Sequence, residues 1–160
     1  LVSRVSRILP VPNLAVARID DREFVVADIP GLVEGASEGA GLGDRFLKHV
    51  DRTRVLIHLV SLGPDAMEPI AAFKAINKEL KAHSEPLAKR PQIVVLNKID
   101  LLDDRYELDL WSEAFAEIGV SCVYCSGLTG EGVMEVLKQA SEVLIDDLED
   151  DEETKLWSPI

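Results

Sequence analysis

Basic residues are in the minority: 17 Lys and Arg stand against 29 Asp and Glu, a net charge of −12 over 160 residues. Seven of the acids lie between Asp146 and Glu153, and without them the body stands at −5. A body of that charge has no broad footprint for phosphate backbones, which disfavours generic nucleic-acid binding by this domain alone. Long apolar runs are missing as well. None approaches the roughly 18 residues of a membrane span, and Leu1-Val2-Ser3-Arg4 lacks the long apolar core of a signal peptide. The chain therefore reads as cytoplasmic, with no membrane partner. Cysteine is scarce, with Cys122 and Cys125 spaced C-x-x-C at the apolar run Val120 to Tyr124. Alternation along a strand points the two to opposite faces, and no second ligand pair completes a zinc site. The three histidines form no visible triad. His58, inside an aliphatic run, reads as a core residue, while His49 and His83 fall near helix C-termini, where a cation is favourable.

What is present suits one globular domain, since a 47% hydrophobic content can fill a core for a chain of this length. Leu14 to Ile19 and Phe24 to Ala27 are short and β-prone, and Asp20-Asp21-Arg22-Glu23 between them reads as a hairpin turn. Arg54 to Val60 and Gln92 to Leu96 are nearly continuous aliphatic runs, as expected of central parallel strands buried on both faces. Between them, Ile70, Phe73, Ile76 and Leu80 lay one apolar stripe along a helix from Pro69 to His83. Leu108 to Ile118 and Gly132 to Leu144 repeat the helical spacing around a strand at Val120 to Tyr124. The order is that of an α/β fold with a mostly parallel sheet flanked by helices. Residues 1–145 form the domain, and 146–160 read as an acidic linker or tail. The stretch from Gly31 to Gly43 holds five of the ten glycines, and is read either as a surface loop or as a segment ordered by a ligand.

Three motifs sit where strands end, the place where open α/β sheets bind ligands. The first is Asp28-Ile29-Pro30-Gly31. Its carboxylate can hold a water of a Mg²⁺ shell, and its glycine lets a backbone N–H approach a phosphate oxygen. The second is Asn97-Lys98-Ile99-Asp100. Guanine presents N1–H and an exocyclic amine side by side, and an acceptor-only carboxylate at Asp100 can take both, whereas adenine would oppose a lone pair to it. Asn97 can bridge loops and base, and the Lys98 stem can cover the ring. The bland alternative makes Asp100 a helix N-cap. The third is Ser126-Gly127-Leu128, whose backbone N–H groups could donate to guanine O6, followed by Thr129-Gly130-Glu131-Gly132.

This trio resembles the G domain of translational-type GTPases. The run DIPGLVEGASEGAGLGDRFLKHVDRTR from Asp28 to Arg54, with Val11-Pro12-Asn13-Leu14, resembles the Obg family of bacterial GTPases, over about Leu1 to Leu144. The resemblance implies a Ras-like P-loop GTPase fold, binding of GTP and GDP with Mg²⁺, slow hydrolysis by the complete protein, and association with the large ribosomal subunit during its assembly. It places Asp28 and Gly31 at the Mg²⁺ and γ-phosphate motif, Asn97, Lys98 and Asp100 at the guanine-specificity motif, and Ser126, Gly127 and Leu128 at the last base-contact loop.

The sequence departs from the family in lacking any G-x-x-x-x-G-K-[ST] phosphate loop, its first central strand, and the switch segment whose threonine would hold Mg²⁺. It reads as part of a longer chain, with residues missing before Leu1 and between Arg7 and Ile8. A Ras-like sheet without its first strand is expected to have a gap between the strands at Phe24 to Ala27 and Arg54 to Val60. Leu32 stands where many regulatory GTPases place a water-orienting glutamine, so no catalytic residue is assigned. Two other readings stay open: a non-hydrolysing guanine-nucleotide sensor, and an interaction module without nucleotide.

Overall fold

The computed structural model describes residues 13–28 and 53–156. Leu32, His49 and the glycine-rich stretch 31–43 lie outside the described residues. Strands β1 (Asn13–Ile19) and β2 (Arg22–Asp28) pair antiparallel, from Asn13↔Asp28 to Ile19↔Arg22. Asp20 turns the chain with φ at 52°, a left-handed conformation that Asp tolerates better than most residues. Arg22 and Glu23, expected in the turn, belong instead to β2, because Glu23 lies opposite Arg18 and forms an ion pair with it.

The rest of the described chain runs β3 (Leu56–Ser61), α1 (Pro69–His83), α2 (Glu85–Ala88), β4 (Gln92–Asn97), a 3₁₀ turn (Ile99–Leu101), α3 (Tyr106–Glu117), β5 (Cys122–Cys125) and α4 (Val133–Leu156). Helix α1 starts where expected for a local reason. Pro69 occupies its first turn, and the Glu68 carboxylate accepts from the N–H groups of Ile70 (3.2 Å) and Ala71 (2.7 Å). The unexpected α2 is too short to show a period, and fixes the fully buried Leu87 behind the Ser84 cap.

Strands β3, β4 and β5 form a parallel sheet in that order. Central β4 is buried on both faces, as its aliphatic run implies. Ile93 and Val95 pack on one side with Cys125, Val136 and Ala140, while Val94 and Leu96 pack on the other with Val60 and Phe115. The stripe on α1 is core packing: Ile70 and Phe73 join the second cluster, Ile76 and Leu80 a third with Leu87. Cys122 and Cys125 do fall on opposite faces, and burial pushes both thiols up, Cys122 to about 11, so neither is a ready nucleophile.

Two expectations about the sheet's flank are sharpened. Among the described residues β3 is an edge, and Leu59 is 58% exposed, so β3 is not buried on both faces as its aliphatic run suggested. The hairpin forms a separate two-stranded sheet, so the strands are divided between β2 and β3, where a missing central strand was expected. Helix α4 continues through residue 146, so the boundary drawn at the onset of the acidic segment does not coincide with the end of an element.

Candidate functional site

Strand register builds the site. Parallel pairing aligns Ser61 with Asn97 and Asn97 with Cys125, so the C-terminal ends of all three strands finish at one level. The chain then turns sharply at each end. After β4, Lys98 takes φ at 70° and leads into the 3₁₀ turn that buries Ile99 and leaves Asp100 exposed. The capping alternative for Asp100 fails on this geometry, since Lys98 occupies the cap position and Asp100 lies inside the turn.

After β5, the loop from Ser126 to Gly132 closes on itself. The Ser126 N–H donates to the Glu131 carbonyl (2.8 Å), and the Gly130 N–H to the Ser126 carbonyl (2.9 Å). Gly132, with φ at 73°, ends the loop against β5. A methyl group there would run into the Tyr124 carbonyl, so only glycine fits.

Side chains join the two loops. Asn97 Oδ1 accepts from the N–H groups of Lys98 (2.8 Å) and Gly127 (3.1 Å), and lies 3.6 Å from the Cys125 thiol. Two backbone donors converging on one atom identify it as the oxygen and leave the amide nitrogen as the donor end of Asn97. The buried Ser126 hydroxyl donates to Asp100 Oδ1 (2.5 Å) and accepts from the Thr129 N–H (3.0 Å). Asp100 is thereby oriented while staying open to solvent. Arg105, at the start of α3, donates to Glu131 Oε1 at 2.6 Å, and this carboxylate raises the guanidinium pKa.

The second and third sequence motifs therefore meet in one place. Of the first, Asp28 ends β2 with its side chain exposed, and Ile29, Pro30 and Gly31 lie outside the described residues. Within the third, the N–H groups of Ser126 and Gly127 are engaged inside the site. Leu128 is the member that stands out, 84% exposed. Sequence reading missed the Cys125 contact and the Arg105–Glu131 pair. The latter has no sequence signal, since its partners are 26 positions apart.

A family model described as 50S ribosome-binding GTPase matches residues 10–98. The chain belongs to that family. Within it the similarity is to Obg proteins: 52% identity over 135 residues to the GTPase Obg of Caldicellulosiruptor bescii, covering 83% of this chain and 32% of that protein. The GTPase Obg of Erythrobacter litoralis is 45% identical over 161 residues, covering 94% of this chain and 45% of its own. The chain thus spans less than half the length of these relatives. Among solved structures, Era bound to MgGDPNP and a piece of 16S ribosomal RNA superposes with a TM-score of 0.63 at 21% identity, over 84% of this chain and 45% of that one. A variant of Aquifex aeolicus Era bound to GDP and AlF₄⁻ gives 0.62 at 20% identity, with the same coverage. The fold is that of a P-loop GTPase domain. No helix among the described residues is long and apolar enough to cross a membrane.

Proposed function

We propose that this chain is the guanine-recognising part of an Obg-type GTPase. The complete protein binds GTP and GDP with Mg²⁺, hydrolyses GTP slowly, and acts in the cytoplasm in assembly of the large ribosomal subunit. The observation that carries the reading is the joint fixing of Asn97 and Asp100 by the loop after β5. Asp100 offers its carboxylate, already held by Ser126, to guanine N1–H and the exocyclic amine. Asn97 turns its amide nitrogen toward the ring because its oxygen is committed to two backbone donors. Lys98 supplies an exposed aliphatic stem for one ring face. Leu128 contributes an exposed apolar side chain and a backbone N–H for the base oxygen. Because these donors and acceptors are placed before any base arrives, little ordering cost falls on binding.

Asp28 suits Mg²⁺ by its chemistry, since this hard cation takes oxygen ligands and is commonly held by one or two carboxylates together with substrate phosphates. When bound, Mg²⁺ neutralises charge on the phosphates. No residue of the chain is assigned to activating water.

The test is Asp100→Asn in the full-length protein, read by fluorescent-nucleotide titration. GDP affinity falls by about 1–3 kcal/mol, the cost of a buried donor left unpaired, and xanthine nucleotides gain, because their C2 carbonyl accepts from the new amide. Unchanged GDP affinity overturns the assignment of Asp100. Single-turnover GTP hydrolysis separates an enzyme from a non-hydrolysing sensor.

A further inference from the structure

We propose that Arg105 and Glu131 form a clasp that sets the position of Asp100, and with it the preference for guanine over bases lacking the exocyclic amine. The inference rests on the reading of Asp100 as the base acceptor. Four links make a closed ring. Asp100 accepts from the Ser126 hydroxyl (2.5 Å), the Ser126 N–H donates to the Glu131 carbonyl (2.8 Å), and the Glu131 carboxylate accepts from Arg105 (2.6 Å). The chain itself closes the ring, running from Asp100 through the 3₁₀ turn to Arg105 at the start of α3. Each base-binding loop is tied to its own strand, but the Arg105–Glu131 pair joins their outer ends.

Without it, Ser126 still holds one oxygen of Asp100 and the Leu101 and Leu102 N–H groups still close the 3₁₀ turn, but the far end of that segment at Arg105 loses its tie to the loop after β5, and the carboxylate can shift by small amounts about the remaining bond. The two partner side chains are 67% and 47% exposed, so the pair adds little to overall stability and is screened by salt. A contact of that kind suits registration between loops better than holding the fold together. Neither residue touches the nucleotide in this scheme; both are positioning residues.

The experiment uses the full-length protein with Arg105→Glu, Glu131→Arg and the double reversal, and measures GDP and IDP affinities by competition against a fluorescent guanine nucleotide. IDP keeps N1–H and the phosphates and lacks only the exocyclic amine, so the GDP-to-IDP ratio reads the placement of Asp100. Each single reversal is expected to lower that ratio roughly threefold, and the double reversal to restore it. High salt should lower the wild-type ratio in the same direction. Arg105→Gln and Glu131→Gln give a smaller drop of the same sign and serve if a reversal does not fold. GDP and IDP weakened equally, or a double reversal that restores nothing, overturns the clasp and leaves Asp100 as base acceptor. A wild-type protein that does not distinguish GDP from IDP overturns both.

Discussion

The corner where β4 and β5 end and the β1–β2 hairpin are both strand termini with loops attached, yet they are held in opposite ways. At the corner the backbone turns are fixed by side chains, Asn97 and Ser126 each taking several partners, above a strand whose four core residues are at most 6% exposed. The hairpin presents Leu14, Val16 and Val25 at 63–68% exposure, buries Ile19, and sets the half-buried Phe24 against the cluster that contains Ile93 and Val95. The difference shows where organisation before ligand binding resides. Under the proposed reading, base recognition falls on the more extensively hydrogen-bonded corner, and the carboxylate proposed for the metal ends a strand of the hairpin.

The comparison breaks if the corner tolerates change as the hairpin should. The largest effect is expected for Gly132→Ala, where a left-handed φ coincides with collision against the backbone of Tyr124 and Cys125. More than about 4 kcal/mol of stability should be lost in urea unfolding, in the range reserved for strained or overpacked positions. Gly119→Ala is the control. Its φ of 76° is similar but nothing lies within 4 Å of the added methyl, so about 1 kcal/mol is expected from conformation alone. Equal losses at the two positions would mean that the corner is free to rearrange.

A second pair sharpens the contrast. Phe115 is fully buried and meets Phe73 edge-on at 5.6 Å, so Phe115→Ala should cost about 3–4 kcal/mol. Phe24→Ala should cost about 2 kcal/mol or less, because part of that ring is already in water. A larger loss at Phe24 would make the hairpin part of the main core.

These contrasts bear on what could be read from sequence. The β4 run, the α1 stripe and the C-x-x-C alternation were legible because each encodes its environment locally, through continuous apolarity, a 3.6-residue period or a two-residue one. Asn97, Asp100 and Ser126, singled out by motif chemistry at strand ends, are brought into one corner, although Ser126 contributes its hydroxyl there, where the motif pointed only to its backbone N–H. The exposure of Leu59 was not legible, since an aliphatic run states that a strand prefers burial and says nothing of whether a neighbour arrives to bury it. A bridge between loops was legible at Asn97, but its partner was not: the Gly127 N–H, expected to be offered to guanine O6, goes to Asn97 instead, which depends on how two loops 30 positions apart are juxtaposed. The acidic run at the end of α4 shows the same limit: like charges suggested a solvated linker or tail and said nothing of its backbone, which continues the helix begun at Val133.

The smallest expected effect tests the seam between β3 and the rest of the sheet. Gln92 donates its amide to Asn77 Oδ1 (2.8 Å), and Asn77 in turn donates to the Phe73 carbonyl (3.0 Å). The Gln92 oxygen is thereby left to accept, which places the proton of neutral His58 on Nδ1, 3.4 Å away. The imidazole also lies against Phe73, with ring centroids 5.2 Å apart. Burial lowers the His58 pKa, outweighing the Gln92 hydrogen bond that would raise it. The folded state therefore binds this proton less readily than the unfolded chain, whose histidines titrate near 6.5. Above that pH both states are neutral and the site contributes no pH dependence. As pH falls below it, the unfolded state gains a proton that the folded state resists, and stability declines. Urea midpoints followed from pH 7.5 to 5.5 should fall in the wild type and fall less in His58→Gln, in a window where most carboxylates stay ionised. Parallel slopes would mean that His58 is solvated in the native state, and that β3 is as loosely held along its α1 face as at Leu59.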